Sequence, residues 1–494
     1  MDRSRRGRTV FGLSSSQRGQ VILYTALALP VMLGFVGLAI DVGYLMHRRT
    51  DEQKAADAAA LAGAEYMFSQ AGTVDPDAYD PSETVRVAAE AEAIDYANRN
   101  GYAGSAHITS YPSSPPLTGE HKCSVDPKCN RYIEVQLTNT KPTFFMRLFG
   151  INDATVQARA VAGIIPMGKP YALIVLEGLD CKAYNQAGTT SLTINGGSAI
   201  VNSTCPTQSA YQSGTSIAVA GGSLDYYRPG GWDLNGAASA TPDPTSVPYQ
   251  VSDPLSGLAR PIPCDISNVT GCIPTSPDSA GTKASPELKQ IVSSTTIRPG
   301  VYWGGLKISG STGTVTFNSG TYVFAGVEGS GKGFDYSGTM TLNGSSVTLF
   351  MMRDNPAISS GRRPCGGFRI DGNGTINLDA PPNSGAPGPF DDVNYVNGVE
   401  TILFWQDDRT DSTYGGNSGA PACTEPFYYN GGTGTNNSNG IIYLPQATLD
   451  VAGGGSLGAV QIIVDKFDYH GTTPMTITYQ EFVKVKVPKV WLAE

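Results

Sequence analysis

One short string in the chain has the form of a phosphate-binding loop. Residues 326–332 read GVEGSGK and match the glycine-rich Walker A pattern up to its lysine. Gly333 then occupies the position at which Ser or Thr would hold Mg²⁺. The following residues 334–336 predict a strand, whereas a phosphate site needs a helix N-terminus at this point. The string therefore predicts a glycine-rich corner, and we expect no nucleotide and no other cofactor.

Paired carboxylates are the other candidates for chemistry. Asp391 and Asp392 are adjacent, as are Asp407 and Asp408, and such groups serve polysaccharide-cleaving enzymes or hold Ca²⁺. Neighbouring side chains on a strand point to opposite faces, and most of these residues fall in polar loops. The histidines are scattered, and no spacing joins them to a nucleophile: His47, His107, His121 and His470. We therefore predict no catalytic residue and no metal site.

Eight cysteines follow an N-terminal apolar segment and none precedes it. An even number on the exported side of a membrane predicts disulfides, whose connectivity the sequence does not determine. Pairing of nearest neighbours is the simplest hypothesis: Cys123–Cys129, Cys181–Cys205, Cys264–Cys272 and Cys365–Cys423. A zinc site made from His121, Cys123 and Cys129 is the alternative for the first pair, although its spacing differs from that of zinc knuckles.

The apolar segment itself predicts a membrane anchor. Val21 to Ile40 carries no charge, and about 20 residues at about 1.5 Å each cross a hydrocarbon core of about 30 Å. The run is longer than that of a signal peptide, and Pro30 predicts a kink within it. Arginines dominate the preceding tail, and positive flanks stay cytoplasmic. We therefore predict a cytoplasmic tail at 1–18, an anchor at 19–42 and export of everything after it.

Composition limits the remaining functions. The chain has 494 residues and a formal net charge of −9, and no basic patch interleaved with aromatic residues follows the anchor. Nucleic acid is therefore not an expected partner. The 59 glycines and only 16% charged residues are typical of a turn-rich β protein.

Three stretches of the N-terminal region resemble a known family. Arg18-Gly19-Gln20, the run ALALPVMLGFVGLAIDVG and the run QKAADAAALAGA are similar to the N-terminal module of TadG-like Flp (Tad) pilus-assembly proteins. The resemblance implies a place in pilus assembly, with other pilus components as partners. Related pilin-like proteins are cleaved after a Gly that precedes a Glu by five residues. Gly19 is the matching candidate, but Tyr24 stands where the Glu would be, so we expect the anchor to be retained.

Residues 43–166 predict a small α+β, pilin-like stalk domain. Ser82 caps a helix over 83–99, and an alternating strand covers 131–138. A short helix over 143–149 ends at Gly150, and a second strand covers 154–165. The strings KPTFFMRLFGI and ATVQARAVAGI also resemble the TadE/TadG module.

Residues 167–494 predict a mainly β domain in which strand triplets alternate with Gly, Asn and Ser corners. Loosely recurring phrases such as LTINGGSAIV and VTFNSGTYVF favour a parallel β-helix (solenoid), with a sandwich or a barrel as alternatives. The phrases RPGVYWGGLKISG and GIIYLP resemble β-helical passenger regions of TadG-like proteins. The Pro-rich residues 228–296 predict a long loop that leaves the solenoid.

Together these features predict a non-enzymatic, single-pass protein of the bacterial inner membrane, with its N-terminus in the cytoplasm. It would serve Tad/Flp pilus assembly or cell adhesion by displaying its solenoid. The alternative is a membrane-tethered protein that binds or degrades cell-surface polysaccharide, and binding would use exposed Trp232, Trp303 or Trp405.

Overall fold

The structure is a computed structural model, and it describes most of the chain. The described residues are 15–70, 79–104, 108–256, 258, 260–265, 271–325, 332–352, 365–382, 401–407, 423–431, 435–453, 458–472, 474–480 and 485–493. The fold is mainly β with parallel sheets, preceded by one long apolar helix. The chain forms two compact units, the first from 1–70, 79–165 and 489–494, and the second from 71–78 and 166–488.

Two helices dominate the first unit. Helix α1, Ser15–Ser69, is 55 residues long and continues through Pro30. Helix α2, Glu83–Ala97, begins where the side chain of Ser82 accepts a hydrogen bond from the amide of Val85. A π-turn, Asn98–Tyr102, follows α2.

Small side chains bring the two helices close together. Alanines on both helices are buried: Ala55, Ala56, Ala59, Ala60, Ala64, Ala89, Ala93 and Ala97. A Cβ atom added at Gly63 would lie 2.6 Å from Ile133 and 2.9 Å from the carbonyl oxygen of Ala89. The alanine-rich run of α1 therefore packs against its own unit, because only small residues allow this approach.

An antiparallel sheet covers these helices. Its first strands are β1 Ile108–Ser113, β2 Tyr132–Pro142 and β3 Asp153–Lys169. Strands β2 and β3 pair over their full overlap, with Tyr132 opposite Gly163 and Pro142 opposite Asp153. Their connection contains a 3₁₀ turn, Met146–Phe149, which ends at Gly150 with a φ of 82°.

The last strand of the chain, Val485–Leu492, lies at the edge of this same sheet, next to β3. The amide of Ala493 donates to the carbonyl oxygen of Val161 at 2.7 Å. The sequence assigns these residues to the 167–494 domain, whereas the structure assigns the chain from Lys489 onwards to the first unit. The alternating pattern of a strand predicts which faces are buried but not which sheet edge it joins.

A buried carboxylate on β2 makes the first unit sensitive to acid. Burial alone would raise the pKa of Glu134, but hydrogen bonds from Thr118, Gln136 and Arg159 outweigh it and lower the pKa to about 2. Because this folded-state pKa lies below the unfolded value, the stabilisation is complete above about pH 4.5 and is lost as the pH falls towards 2. The shift corresponds to about 3 kcal/mol.

We therefore expect hydrogen-exchange protection of β2 to fall between pH 5 and pH 2.5, after correction for the intrinsic exchange rate. The variant Glu134→Gln keeps the shape of the side chain and should lose most of that pH dependence. Equal pH profiles in the two proteins would contradict this role of Glu134.

Strands of the second unit come in two series. The first series is β4 Tyr171–Val175, β5 Tyr184–Gly188, β6 Ser191–Asn195, β7 Ser198–Val201, β8 Ala210–Ser213, β9 Ser216–Ala220, β10 Leu224–Tyr227, β11 Trp232–Asn235, β12 Ser239–Thr241 and β13 Thr245–Val247. The second series is β14 Lys289–Ile291, β15 Thr295–Ile297, β16 Gly300–Trp303, β17 Leu306–Ile308, β18 Thr314–Phe317, β19 Gly320–Ala325, β20 Lys332–Tyr336, β21 Thr341–Gly344, β22 Val347–Met352, β23 Gly367–Ile370, β24 Ile376–Leu378, β25 Ile402–Gln406, β26 Phe427–Gly431, β27 Ile441–Gly453, β28 Gly458–Ala459, β29 Gln461–Gly471 and β30 Pro474–Thr478.

Each strand pairs in parallel with the third strand after it through most of both series. Strand β4 pairs with β7 and β7 with β10, while β16 pairs with β19 and β19 with β22. The pairs form one sheet of 18 strands and two smaller sheets of five and four strands. Three strands therefore recur as one structural repeat along the chain.

The two series meet in the middle of the large sheet. Strand β4, the first of the unit, pairs with β7 on one side and with β29 on the other. The first series runs outward from β4 to β13, and the second returns from the opposite end to β29. The chain therefore crosses the length of this sheet once, through residues 248–288, which we call the crossover segment.

The crossover segment is shorter than the loop that the sequence predicts at 228–296. Strands β11, β12, β13, β14 and β15 all lie within those bounds and pair in the same repeat. The prediction is wrong at both ends because prolines separate these three- and four-residue strands without interrupting the pairing. Among the described residues, the middle of the Pro-rich region leaves the repeat apart from a parallel bridge between Thr275 and Val301.

Aromatic side chains stack along the core of the second unit. Phe324, Phe334, Phe368 and Phe427 are completely buried, and their rings follow one another at centroid distances of 5.3–6.3 Å. Phe334, Phe368 and Phe427 come from β20, β23 and β26, which pair in succession one repeat apart, and Phe324 on β19 packs beside them. No single repeat therefore buries its own apolar face.

Four disulfides are present, and they join neighbours in the sequence. The pairs are Cys123–Cys129, Cys181–Cys205, Cys264–Cys272 and Cys365–Cys423. The last pair has a sequence separation of 58, against 8 for Cys264–Cys272. By the chain-entropy model, a longer closed loop restricts the unfolded chain more.

Replacing Cys365 and Cys423 together with serine should therefore lower the free energy of unfolding of the second unit by about 4 kcal/mol. The matched variant, with Cys264 and Cys272 replaced, should lose only about 2.5 kcal/mol. Denaturant titration of both variants without reductant measures the difference, and an equal or reversed order would contradict the loop-length account.

Candidate functional site at the end of the apolar helix

The N-terminal part of α1 exposes its apolar side chains. An 18-residue window in this region has a mean hydropathy of 2.1 and is only 6% buried, which makes α1 a candidate membrane span. Leu27, Met32 and Phe35 are about two-thirds exposed, which is unfavourable in water and favourable in lipid. The predicted anchor residues Gly19, Val21, Pro30 and Ile40 all lie on this helix. The helix suggests single-pass membrane anchoring.

Asp41 lies directly after the apolar stretch, and its side chain is only 1% exposed. Its carboxylate accepts hydrogen bonds from the backbone amides of Phe144, Phe145 and Met146 at 2.9, 2.8 and 2.6 Å. These amides begin the 3₁₀ turn between β2 and β3, where backbone donors lack partners within the turn. One side chain therefore fixes the β2–β3 connection, residues 143–152, to the end of the anchor.

Close packing accompanies these hydrogen bonds. A Cβ atom added at Gly37 would lie 2.7 Å from the ring of Phe145, so this ring rests on the bare backbone of α1. One turn beyond Asp41, Tyr44 contacts Phe144 edge-on with ring centroids 5.2 Å apart. The anchor and the β2–β3 connection thus meet through both polar and apolar contacts.

The apolar helix and its polar end coincide with a family match. Residues 19–65 match the family model described as "Putative Flp pilus-assembly TadE/G-like". Residues 19–65 are therefore similar to a Tad domain. The matched segment begins at Gly19, includes Asp41 and ends within the alanine-rich part of α1. Comparison with curated proteins and with solved structures found no match.

The comparison confirms the resemblance over residues 19–65, and such a segment suggests a pilus-associated envelope protein. The resemblance of residues 131–165 to the same module stays a prediction. The resemblance of the C-terminal part to β-helical passenger regions stays a prediction. The sequence shows Asp41 directly after the apolar run but does not reveal its partners, which lie 103–105 residues away. The sequence signal for this contact is the single carboxylate directly after the apolar run.

The zinc alternative is wrong in this structure. Cys123 and Cys129 form a disulfide, so neither provides a thiolate ligand. The Nδ1 atom of His121 instead lies 3.1 Å from a carboxylate oxygen of Asp126, and its ring stacks on Tyr132 at 3.9 Å. Within the described ranges, no group of three or more His, Cys, Asp or Glu residues is placed to hold a metal ion.

The other chemical candidates divide between described and undescribed residues. Residues 326–331 of the Walker-like string, Asp391, Asp392 and Asp408 lie outside the described residues. Lys332 begins strand β20, so a strand and not a helix follows the glycines. Asp407 is 2% exposed, and both of its carboxylate oxygens accept from the guanidinium of Arg260 at 2.5–2.6 Å. This carboxylate has a structural partner and no solvent access.

The tryptophans do not form an exposed strip. Trp303 and Trp405 are 0% and 2% exposed, so neither can stack on a sugar ring. Trp232 is half-buried, and its indole N–H donates to Gln212 at 2.8 Å. The predicted sugar-binding use of Trp303 and Trp405 is wrong, because their strands turn these large aromatic rings into the core. For Trp232 it stays a prediction.

Two carboxylates that the sequence does not associate come together on the large sheet. The parallel register of β27 and β29 places Asp450 opposite Asp468. The Nδ1 atom of His470 lies 3.6 Å from one carboxylate and 3.7 Å from the other. Burial raises the pKa of Asp450 above its usual value, and the nearby His470 opposes this effect. The cluster is partly exposed, and the side-chain amide of Asn185 also donates to Asp468 at 2.9 Å.

Proposed function

We propose that this protein is a non-enzymatic component of the Tad/Flp pilus-assembly or adhesion machinery in the bacterial envelope. The observation that carries the proposal is the match of residues 19–65, which contain both the exposed apolar helix and Asp41. The arginine-rich tail supports a cytoplasmic N-terminus and export of the remaining chain. Other pilus components would bind through the anchor and the first unit, within the inner membrane or directly outside it.

We infer further that the second unit is a parallel β-solenoid displayed outside the membrane. Pairing of each strand with the third strand after it supports this architecture, because a chain with three strands per coil produces that pattern. Stacked Phe324, Phe334 and Phe368 support it in the same way. Such a rod offers a long surface for scaffolding or adhesion and needs no catalytic group.

Affinity capture of the full chain from native membranes tests the proposal. A tagged chain should recover other pilus components, whereas a control with its apolar span replaced by an unrelated span of equal length and orientation should recover fewer. Recovery of no pilus component by the native chain would contradict the proposed function. Equal recovery by the native chain and the control would indicate that the binding site lies in the exported units and not in the span.

Polysaccharide binding or cleavage is the second candidate, and Asp450, Asp468 and His470 favour it. A double variant with asparagine at both aspartates should then lose binding to, or release of sugar from, isolated cell-surface polysaccharide. Because both aspartates are at least partly exposed, this variant should retain the fold. Unchanged behaviour would remove this candidate and leave the scaffold proposal intact.

A further inference from the structure

The β2–β3 connection presents an unusual set of side chains. Leu148 and Phe149 are 79% and 73% exposed, and Phe144, Phe145 and Ile151 are each 41–52% exposed. A loop outside a membrane normally exposes polar residues, and a contiguous apolar patch marks a binding surface. This loop therefore needs an apolar environment that the first unit does not provide.

The position of the loop beside the span identifies that environment. The ring of Phe145 rests on Gly37, and a groove of about 680 Å³ runs between Gly34, Phe35 and Leu38 of the helix and Phe149 and Ile151 of the loop. Gly37 and Gly34 lie four and seven residues before Asp41. At about 1.5 Å per residue, the loop reaches about 6–10 Å below Asp41 towards the membrane centre.

The length of the helix excludes a membrane surface that lies closer to the membrane centre than the loop does. If the hydrocarbon core ended at Gly34, the span from Val21 would have only about 14 residues, or about 21 Å, against a required thickness of about 30 Å. Placing the whole apolar stretch up to Ile40 in the hydrocarbon satisfies the thickness. The loop at the level of residues 34–37 is then within the bilayer as well.

The backbone of the loop suits this environment. Three of its amides donate to Asp41, and those of Leu148, Gly150 and Ile151 donate to carbonyl oxygens within the loop at 3.0–3.2 Å. The hydroxyl of Thr143 also bonds to the carbonyl oxygens of Ile151 and Asn152. Satisfied backbone groups are the condition for placing a non-helical segment in lipid.

Charged and aromatic residues mark the expected interface. Arg147 is the one charged residue between Phe144 and Ile151, and it is exposed, so its guanidinium can extend to the lipid phosphates. Above Asp41, the guanidinium of Arg48 lies over the ring of Tyr44 at 5.2 Å. Tyrosine at this level is typical of the boundary between lipid and water.

We propose that residues 144–151 insert into the membrane leaflet on the exported side and contact lipid acyl chains there. They would form a second membrane contact of the first unit. The inference rests on the proposed function, since it requires α1 to be a membrane anchor. Continuity between the loop and the lipid-facing side of the span favours lipid over a partner protein. The depth of 6–10 Å also matches that of segments that lie in the membrane interface.

Photo-cross-linking in native membranes tests the insertion. A photoreactive phenylalanine analogue replaces Phe149 in the loop, Phe35 in the span or Leu117, which is 73% exposed in the first unit away from the anchor contact. All three side chains are exposed, so the substitutions should not disturb the fold. We expect phospholipid adducts at positions 35 and 149 in comparable yield, and about fivefold or more above the yield at position 117.

The outcomes separate the loop from the anchor. Lipid adducts at position 35 but not at 149 would overturn the insertion while leaving the anchor in place. An adduct of 149 with another protein would also overturn it, and would assign the groove to a partner helix. Absence of lipid adducts at both 35 and 149 would instead contradict the anchor, and with it the proposed function.

Discussion

Replacing Asp41 with alanine is expected to release the β2–β3 connection from helix α1. The change leaves three backbone amides without their acceptor, and hydrogen bonds to a charged group contribute about 1.5–3 kcal/mol each. Because the three bonds share one carboxylate, they are not additive, and we expect a loss of about 4 kcal/mol in the free energy of local opening. The exchange of these amides should then accelerate by roughly 500-fold or more.

Hydrogen exchange with mass spectrometry on the full chain in lipid nanodiscs measures this effect in peptides that cover residues 142–152. The variant Asp41→Asn keeps one acceptor oxygen without the charge and should show an intermediate rate. Asp51→Ala is the matched control on the same helix, since the side chain of Asp51 lies at the surface, 3.5 Å from the exposed His47. Equal exchange rates in the Asp41 and Asp51 variants would contradict the role of Asp41 in fixing the β2–β3 connection to α1.

The contact between Asp41 and the β2–β3 connection is one that the sequence does not predict. An uncharged run of about 20 residues, an arginine-rich flank and cysteines only beyond the span are local signals, and they predict an anchor and disulfides directly. The partners of Asp41 are on a loop more than a hundred residues later. Nothing in the local pattern connects the two, because the contact arises only when β2 and β3 fold against α1.

The β region shows the same limit in another form. Strand-corner-strand phrases predict parallel pairing, because each phrase carries its own turn chemistry. The order of the strands in the large sheet differs from their order in the chain. The first strand of the second unit, β4, pairs with β29 in the middle of the sheet and does not lie at an end of it. Likewise the fully buried Trp303 has the same local sequence features as a surface aromatic residue. The pairing partner of a strand and the burial of a side chain depend on which strand edges are free when the sheets assemble.

The crossover segment connects these distant parts of the large sheet. Val251 exchanges hydrogen bonds with the side chain of Asn202, the hydroxyl of Tyr443 donates to Asp253, and the indole of Trp303 donates to Thr275. Asn202 follows β7, whereas Tyr443 and Trp303 belong to β27 and β16. The segment is therefore fixed at several points between one end of the sheet and the other.

The crossover segment also makes a largely buried ion pair, between Arg260 and Asp407. The two side chains are 11% and 2% exposed, and the guanidinium donates to both carboxylate oxygens. Removing one member of a buried pair leaves the other charge in a poorly solvated site, which costs about 3–5 kcal/mol. Replacing both with apolar residues avoids that cost, because no charge remains to be desolvated.

Asp407→Ala should therefore destabilise the second unit by about 4 kcal/mol and lower its midpoint of thermal unfolding by roughly 10 °C. Fluorescence of the full chain in detergent reports this transition, because Trp405 is buried two residues before Asp407. The double variant Arg260→Met with Asp407→Leu should regain most of the loss. Asp180→Ala, which breaks only an exposed pair with Lys466, should change the midpoint by roughly 2 °C or less.

If Asp407→Ala and Asp180→Ala have the same small effect, the ion pair does not hold the crossover segment in place. If the double variant is as unstable as Asp407→Ala, the loss comes from packing around β25 and not from an unpaired guanidinium. The expected order, with the single variant lowest, would assign the crossover segment a structural role. The segment then stabilises the parallel strands through a buried charge pair, in addition to the hydrogen bonds that the strands make with one another.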